Sequence, residues 1–209
     1  MIPKFPVYLF DVDGTLVDSA PDICGAISEV SAAHGRPDVP DEFLRRYIGR
    51  HLLDVFLDIG FEHGAIDTLI AHYRHIYPQR KHASTKVYPG VVEMLQGLEG
   101  LKSTATTKGT PTTRAVLEQF GLVSYFNHVQ GTDGFPAKPA PDVILASLRA
   151  LEARPEDCLF IGDSATDMAA GRAAGVQLCA VRWGYGDLEE MAKFQPEYWL
   201  DRPQEILEN

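Results

Sequence analysis

The segment Val7-Tyr8-Leu9-Phe10-Asp11-Val12-Asp13-Gly14-Thr15 decides the fold. An unbroken apolar run of this length suits a strand buried on both faces of a parallel sheet. It stops at Asp11-Val12-Asp13-Gly14, where polar residues and a glycine end the strand. Leu159-Phe160-Ile161, closed by Gly162-Asp163, repeats the pattern late in the chain.

The chain outward from this segment changes period twice. From about Asp18 to Thr85 the apolar residues keep helical spacing: Ile23, Ile27 and Val30, then Phe43, Leu44 and Ile48, then Val55 and Phe56, then Leu69, Ile70, Tyr73 and Tyr77. Breakers at Gly35 to Pro40, Gly49, Gly60 and Gly64 divide this block into about four helices. From Lys86 strands and helices alternate. Ser103 to Thr106, His128 to Gln130, Leu159 to Ile161 and Gln177 to Val181 read as strands. Helices are expected around Met94, Val116, Ile144 and from Asp167 to Ala174. The pattern predicts an α/β chain: a doubly wound parallel-sheet core from residues 1–17 and 86–209, with an all-helical cap, 18–85, inserted after the first strand.

In an open parallel sheet, ligands bind beyond the carboxyl ends of the strands. Those ends carry Asp11 and Asp13, then Thr106, Thr107 and Lys108, then Lys138 in the following loop, then Asp163 with Asp167 just beyond. A single aspartate at a strand end often only closes a turn. Several at successive ends of one sheet would repel each other unless a cation lay between them. Hard oxygen donors of this kind suit Mg²⁺ together with a substrate phosphate. Lys138, stiffened by Pro139 and Pro141, supplies an ammonium to the same crevice.

Asp11-Val12-Asp13-Gly14-Thr15-Leu16-Val17-Asp18-Ser19 resembles the first signature of the haloacid dehalogenase superfamily. Thr106 resembles the second, Lys138 of Lys-Pro-Ala-Pro the third, and Gly162-Asp163-Ser164-Ala165-Thr166-Asp167 the fourth. The resemblance spans almost the whole chain. Through Tyr88 to Val91 and Trp183 to Gly186 it is nearest to the phosphoglycolate phosphatase-like branch. It implies an Mg²⁺-dependent phosphatase in which Asp11 attacks phosphorus and Asp13 acts as general acid and then base. Asp11, the Asp13 carbonyl and Asp163 would hold the metal, with Asp167 supporting it from outside. Thr106, Thr107 and Lys138 would hold the phosphoryl group. Arg50, after Gly49 in the cap, would meet a carboxylate of the substrate. Asp13 also argues against carbon–halogen cleavage, since a halide leaving group needs no proton. One position departs from the branch: Thr106-Thr107-Lys108 stands where Thr-Asn-Lys is usual. A small phosphorylated metabolite is the expected partner, with 2-phosphoglycolate the first candidate. A phosphotransferase of the β-phosphoglucomutase type, a pyrophosphatase and a non-catalytic binding protein are the alternatives on the same scaffold.

The remaining features set boundaries. The 209 residues carry a net charge of −10, against the basic face that a nucleic-acid binder needs. The longest apolar runs are far too short to span a bilayer, and the N-terminal residues lack the apolar core of an export signal. The three cysteines are odd in number and without C-x-x-C spacing, which fits a reducing cytoplasm. Six of the seven histidines lie in the helical block and read as a solvated face rather than a transition-metal site.

Overall fold

A computed structural model describes residues 2–208. Strand β1 (Val7–Phe10) lies inside a parallel five-stranded sheet of order β4-β1-β5-β6-β7. Two-residue strands β2 (Val17–Asp18) and β3 (Lys86–Val87) form a separate antiparallel ribbon. Between them run helices α1 (Ala20–Ala33), α2 (Asp41–Arg45), α3 (Leu52–Asp58) and α4 (Ile66–Gln79). After β3 come α5 (Val91–Gly97), β4 (Leu101–Thr104), α6 (Thr110–Gln119) and α7 (Asp142–Ala150). The chain ends through β5 (Cys158–Gly162), α8 (Ala165–Ala174), β6 (Gln177–Val181), α9 (Leu188–Ala192) and β7 (Tyr198–Leu200).

The sheet is buried on both sides, as unbroken apolar strands require. Successive side chains alternate between its faces. Tyr8, Phe10, Leu159, Ile161, Cys179 and Val181 join one apolar cluster, whereas Val7, Leu9, Cys158, Phe160, Leu178 and Ala180 join the other. The helical block has a third cluster of its own, built on Ile27, Leu44, Phe56, Leu69 and Tyr77.

The expected strand at His128 is a single bridge to Ser103, and Gln130 is held by the Thr104 hydroxyl. The threonine-rich strand sits earlier than the sequence suggests, ending at Thr104. The expected boundary between residues 17 and 18 falls inside β2, where Asp18 pairs with Lys86.

Buried Asp22, in the first turn of α1, fixes the point where the chain leaves the helical block. Its Oδ2 accepts from the Ser84 amide at 3.0 Å and the Thr85 hydroxyl at 2.7 Å. Arg80 lies 3.7 Å from its Oδ1. Asp22→Ala strips the Ser84 amide and the Thr85 hydroxyl of their acceptor and takes away the carboxylate beside Arg80. Urea unfolding should then show a loss of roughly 2–4 kcal/mol; an unchanged midpoint would show that these bonds are replaced by water at no cost.

Candidate active site

Strand register gathers the site. Phe10 pairs with Thr104 on one side and Ile161 on the other, so the residues after these three strands emerge level. The Asp11 amide donates to Ile161 O at 2.9 Å, and the Ala105 amide to Phe10 O at 2.8 Å. The sequential order of strands reverses at β1, which opens a crevice at this edge.

Lys138 is the hub. Its buried ammonium donates to Asp11 Oδ1 at 2.7 Å, Asp167 Oδ1 at 2.5 Å and Ala105 O at 3.0 Å. All three of its protons are thereby used. Burial works against its charge, but Asp11 and Asp167 outweigh burial and raise its pKa.

Asp163 is held by the Thr15 hydroxyl on Oδ1 (3.1 Å) and the Tyr185 amide on Oδ2 (2.9 Å). Gly14, at φ +92°, lies so close that a Cβ there would collide with the Asp163 carboxylate. The glycine of the first motif thus lets the loop after β1 approach the end of β5. Asp167 Oδ2 accepts from the Ser164 amide and hydroxyl at 3.0 and 2.6 Å, while the Ser164 side chain caps α8 in return.

Carboxylate oxygens of Asp11, Asp163 and Asp167 come within 4.8 Å of one another, all buried. With one ammonium among them, two negative charges stay uncompensated. Burial, then the Asp167 and Asp13 charges, push Asp11 up to about 7 against the opposing pull of Lys138. Burial, with Asp167 and Asp11, also carries Asp163 well above the usual carboxylate range. A hard divalent cation is what this all-oxygen donor set fits.

That charge excess has a sign that can be measured. A carboxyl whose pKa is raised on folding contributes stability fully present below its unfolded pKa of about 4 and lost as pH rises through the folded value. Chelator-treated protein should therefore lose thermal stability as pH climbs from about 4 to about 7 and level off above that, and added Mg²⁺ should remove the decline. Identical Tm-against-pH curves with and without Mg²⁺ would contradict the cation reading.

Asp13 turns away from the cluster. Its Oδ1 accepts from Ser19 Oγ at 2.5 Å, and its Oδ2 lies 3.2 Å from Lys108 Nζ. Thr106 is fully buried and accepts the Lys108 amide on its hydroxyl at 3.4 Å, whereas Thr107 lines the cavity beneath the helical block. Arg50 is exposed, with its guanidinium 5.6 Å from the Tyr47 ring, and lines the same cavity. The cavity measures about 580 Å³.

The contacts of Tyr185 and the partners of Lys108 escaped the sequence reading. Tyr185, from the loop after β6, donates its hydroxyl to Asp18 at 2.6 Å and accepts the Ala20 amide at 3.0 Å, tying the core to the start of the block. The Trp183-Gly184-Tyr185-Gly186 segment flagged the loop but not these contacts. Lys108 contributes its ammonium to Asp13 and to Tyr77 of α4.

The site thus joins an α/β core to carboxylates and an ammonium at its strand ends. Residues 8–181 match the model of the haloacid dehalogenase-like hydrolase family. The chain is 35% identical over 211 residues to phosphoglycolate phosphatase 1 of Pseudomonas aeruginosa, spanning 95% of this chain and 77% of that one. It is 31% identical to a phosphoglycolate phosphatase of Aquifex aeolicus, across 96% and 94% of the two chains. A solved haloacid dehalogenase-like hydrolase from Streptococcus pneumoniae superposes with a TM-score of 0.91 at 26% identity, covering 98% of this chain and 97% of that one. The chain belongs to the haloacid dehalogenase-like hydrolase family. It is a phosphoric monoester hydrolase. Among the described residues no helix is long and apolar enough to cross a membrane.

Proposed function

We propose that the chain hydrolyses small anionic phosphomonoesters with Mg²⁺, through a phosphoryl group carried on Asp11, and that 2-phosphoglycolate is its first candidate substrate. The observation that carries the reading is the buried set of Asp11, Asp163 and Asp167 around Lys138 at the strand ends. The relatives named for phosphoglycolate support the substrate.

Asp11, the Asp13 carbonyl and Asp163 would hold the metal, which would supply charge compensation for the phosphate when bound. Asp11 is the nucleophile, and its covalent adduct divides hydrolysis into two steps. Asp13 gives a proton to the leaving alkoxide and later takes one from water. The Thr106 hydroxyl, with Thr107 at the rim, steadies the phosphoryl oxygens, and Lys138 joins them by turning one proton from its present acceptors to the phosphate. Asp167 keeps Lys138 aimed at Asp11. The helical block, residues 18–85, works as a cap over the crevice and moves on the links around β2 and β3, admitting substrate and excluding water. Its separate apolar cluster supports movement as one unit. A cytoplasmic location accords with three buried, unpaired cysteines.

Phosphate release from 2-phosphoglycolate and from p-nitrophenyl phosphate tests the proposal. Release should need Mg²⁺, stop with chelator and resume when Mg²⁺ is restored. Transfer of the phosphoryl group to a sugar without free phosphate would identify a phosphotransferase instead.

Arg50 carries a narrower expectation. Arg50→Ala should raise KM for carboxylated esters and lower their kcat/KM, relative to p-nitrophenyl phosphate, roughly 10- to 100-fold. Equal losses on both esters would return Arg50 to a role in cap structure or phosphate binding.

A further inference from the structure

The chain carries a net charge of −10, yet the cavity under the helical block has a cationic wall. Arg50, Arg74 and Lys108 line it together with Asp13 and Asp133. Asp133 is already engaged, accepting the Thr110 amide at 3.1 and 3.2 Å. Among the described residues neither Arg50 nor Arg74 has a carboxylate partner. An acidic protein that keeps such charge around one cavity is arranged to receive an anion there.

Lys108 differs from the two arginines. Its side chain is only 9% exposed. The ammonium donates to the Tyr77 hydroxyl at 3.0 Å and lies 3.2 Å from Asp13 Oδ2. Two of its three protons are thus assigned, and the described residues give the third no acceptor. Tyr73 and Tyr77, buried and stacked with centroids 5.4 Å apart, line this end of the cavity. Burial works against the Lys108 charge, but Asp13 and the two tyrosines outweigh it, so the group stays an ammonium. A charged hydrogen bond in such surroundings is stronger than one in water.

We infer that Lys108 is a specificity-determining residue whose free proton binds a second anionic group of the substrate, a carboxylate on the carbon next to the ester oxygen. The inference rests on the phosphomonoesterase reading of Asp11 and Asp13. On the phosphomonoesterase reading phosphorus meets Asp11 and the ester oxygen meets Asp13, and Lys108 Nζ lies 3.2 Å from Asp13 Oδ2. A carboxylate on the carbon that bears the ester oxygen would be the anion nearest that ammonium, with Arg50 on the wall of the same cavity. The substrate class is therefore a phosphorylated 2-hydroxy acid. Tyr77, on α4, positions Lys108 and makes the anion subsite complete only with the helical block over the crevice.

The test compares 2-phosphoglycolate with ethyl phosphate, which has a methyl group in place of the carboxylate. Steady-state kinetics in saturating Mg²⁺ would be measured for wild type, Lys108→Met and Tyr77→Phe, each checked for folding by circular dichroism. Wild type should prefer the carboxylated ester. Lys108→Met should lower the ratio of the two kcat/KM values roughly 10- to 100-fold, mainly through KM. Tyr77→Phe leaves the ammonium but frees its aim, so the ratio should fall by about threefold or more; this variant carries the test if the methionine variant does not fold. Equal losses on both esters, expressed in kcat, would overturn the inference and leave Lys108 as a partner of Asp13 alone. An unchanged ratio in both variants, or a wild type indifferent to the carboxylate, would overturn it too while the phosphatase reading stands. Absence of phosphate release from every ester, p-nitrophenyl phosphate included, would instead remove the reading on which it rests.

Discussion

Asp11→Asn should abolish turnover, with kcat lower by roughly 10⁴-fold or more, and leave the fold intact. The carboxylate at this position is asked for three things at once: attack on phosphorus, a share in holding the cation, and pairing with Lys138. An amide is a poor nucleophile and a weaker ligand for Mg²⁺. Its carbonyl can still accept from Lys138, which sits 2.7 Å from Oδ1. The substitution also removes a buried carboxyl whose pKa burial has already pushed up to about 7, so stability without metal should hold or rise. Steady-state kinetics on freshly prepared protein, with deamidation excluded by mass spectrometry, measure the first effect. Wild-type-like hydrolysis by the intact amide variant would remove Asp11 from the mechanism.

Lys138→Met should be nearly as damaging, and it should also cost stability. The ammonium satisfies Asp11, Asp167 and the Ala105 carbonyl in a fully enclosed position. Methionine fills similar volume but leaves Asp11, Asp163 and Asp167 with no counter-charge from the chain. Breaking a buried ion pair from one side costs about 3–5 kcal/mol. Loss of a preorganised donor to the transferring group lowers kcat by roughly 10²–10³-fold, and mispositioning of Asp11 adds to that. Mg²⁺ should restore part of the stability but little of the rate. A variant with normal rate and a lowered Tm would make Lys138 a structural counter-ion only.

The sequence disclosed the sheet wherever a strand is buried on both faces. β1, β5 and, after Gln177, β6 are apolar runs whose alternate residues feed the two clusters of the core. The ribbon of β2 and β3 was hidden because two residues carry no period. β7 escaped because Tyr198 and Trp199 are only partly buried at the sheet edge, three residues long in all. His128 looked like the middle of a strand, but its segment makes one bridge and then hands Gln130 to a threonine hydroxyl. Aspartates and lysines at strand ends were legible because a parallel sheet sends its strand ends to one edge. The division of labour among them was not. Asp167 and Lys138 are 29 positions apart, and Lys108 and Tyr77 are 31. No local pattern encodes which ammonium meets which partner over such separations.

The account turns on a phosphoryl group carried by Asp11, and that species can be trapped. Enzyme turning over 2-phosphoglycolate or p-nitrophenyl phosphate with Mg²⁺ would be quenched rapidly and reduced with borohydride, which converts an aspartyl phosphate to homoserine. Peptide mass spectrometry should find homoserine at position 11, dependent on substrate and absent from Asp11→Asn. Homoserine at another aspartate, or none at any aspartate while phosphate is being released, would contradict the account.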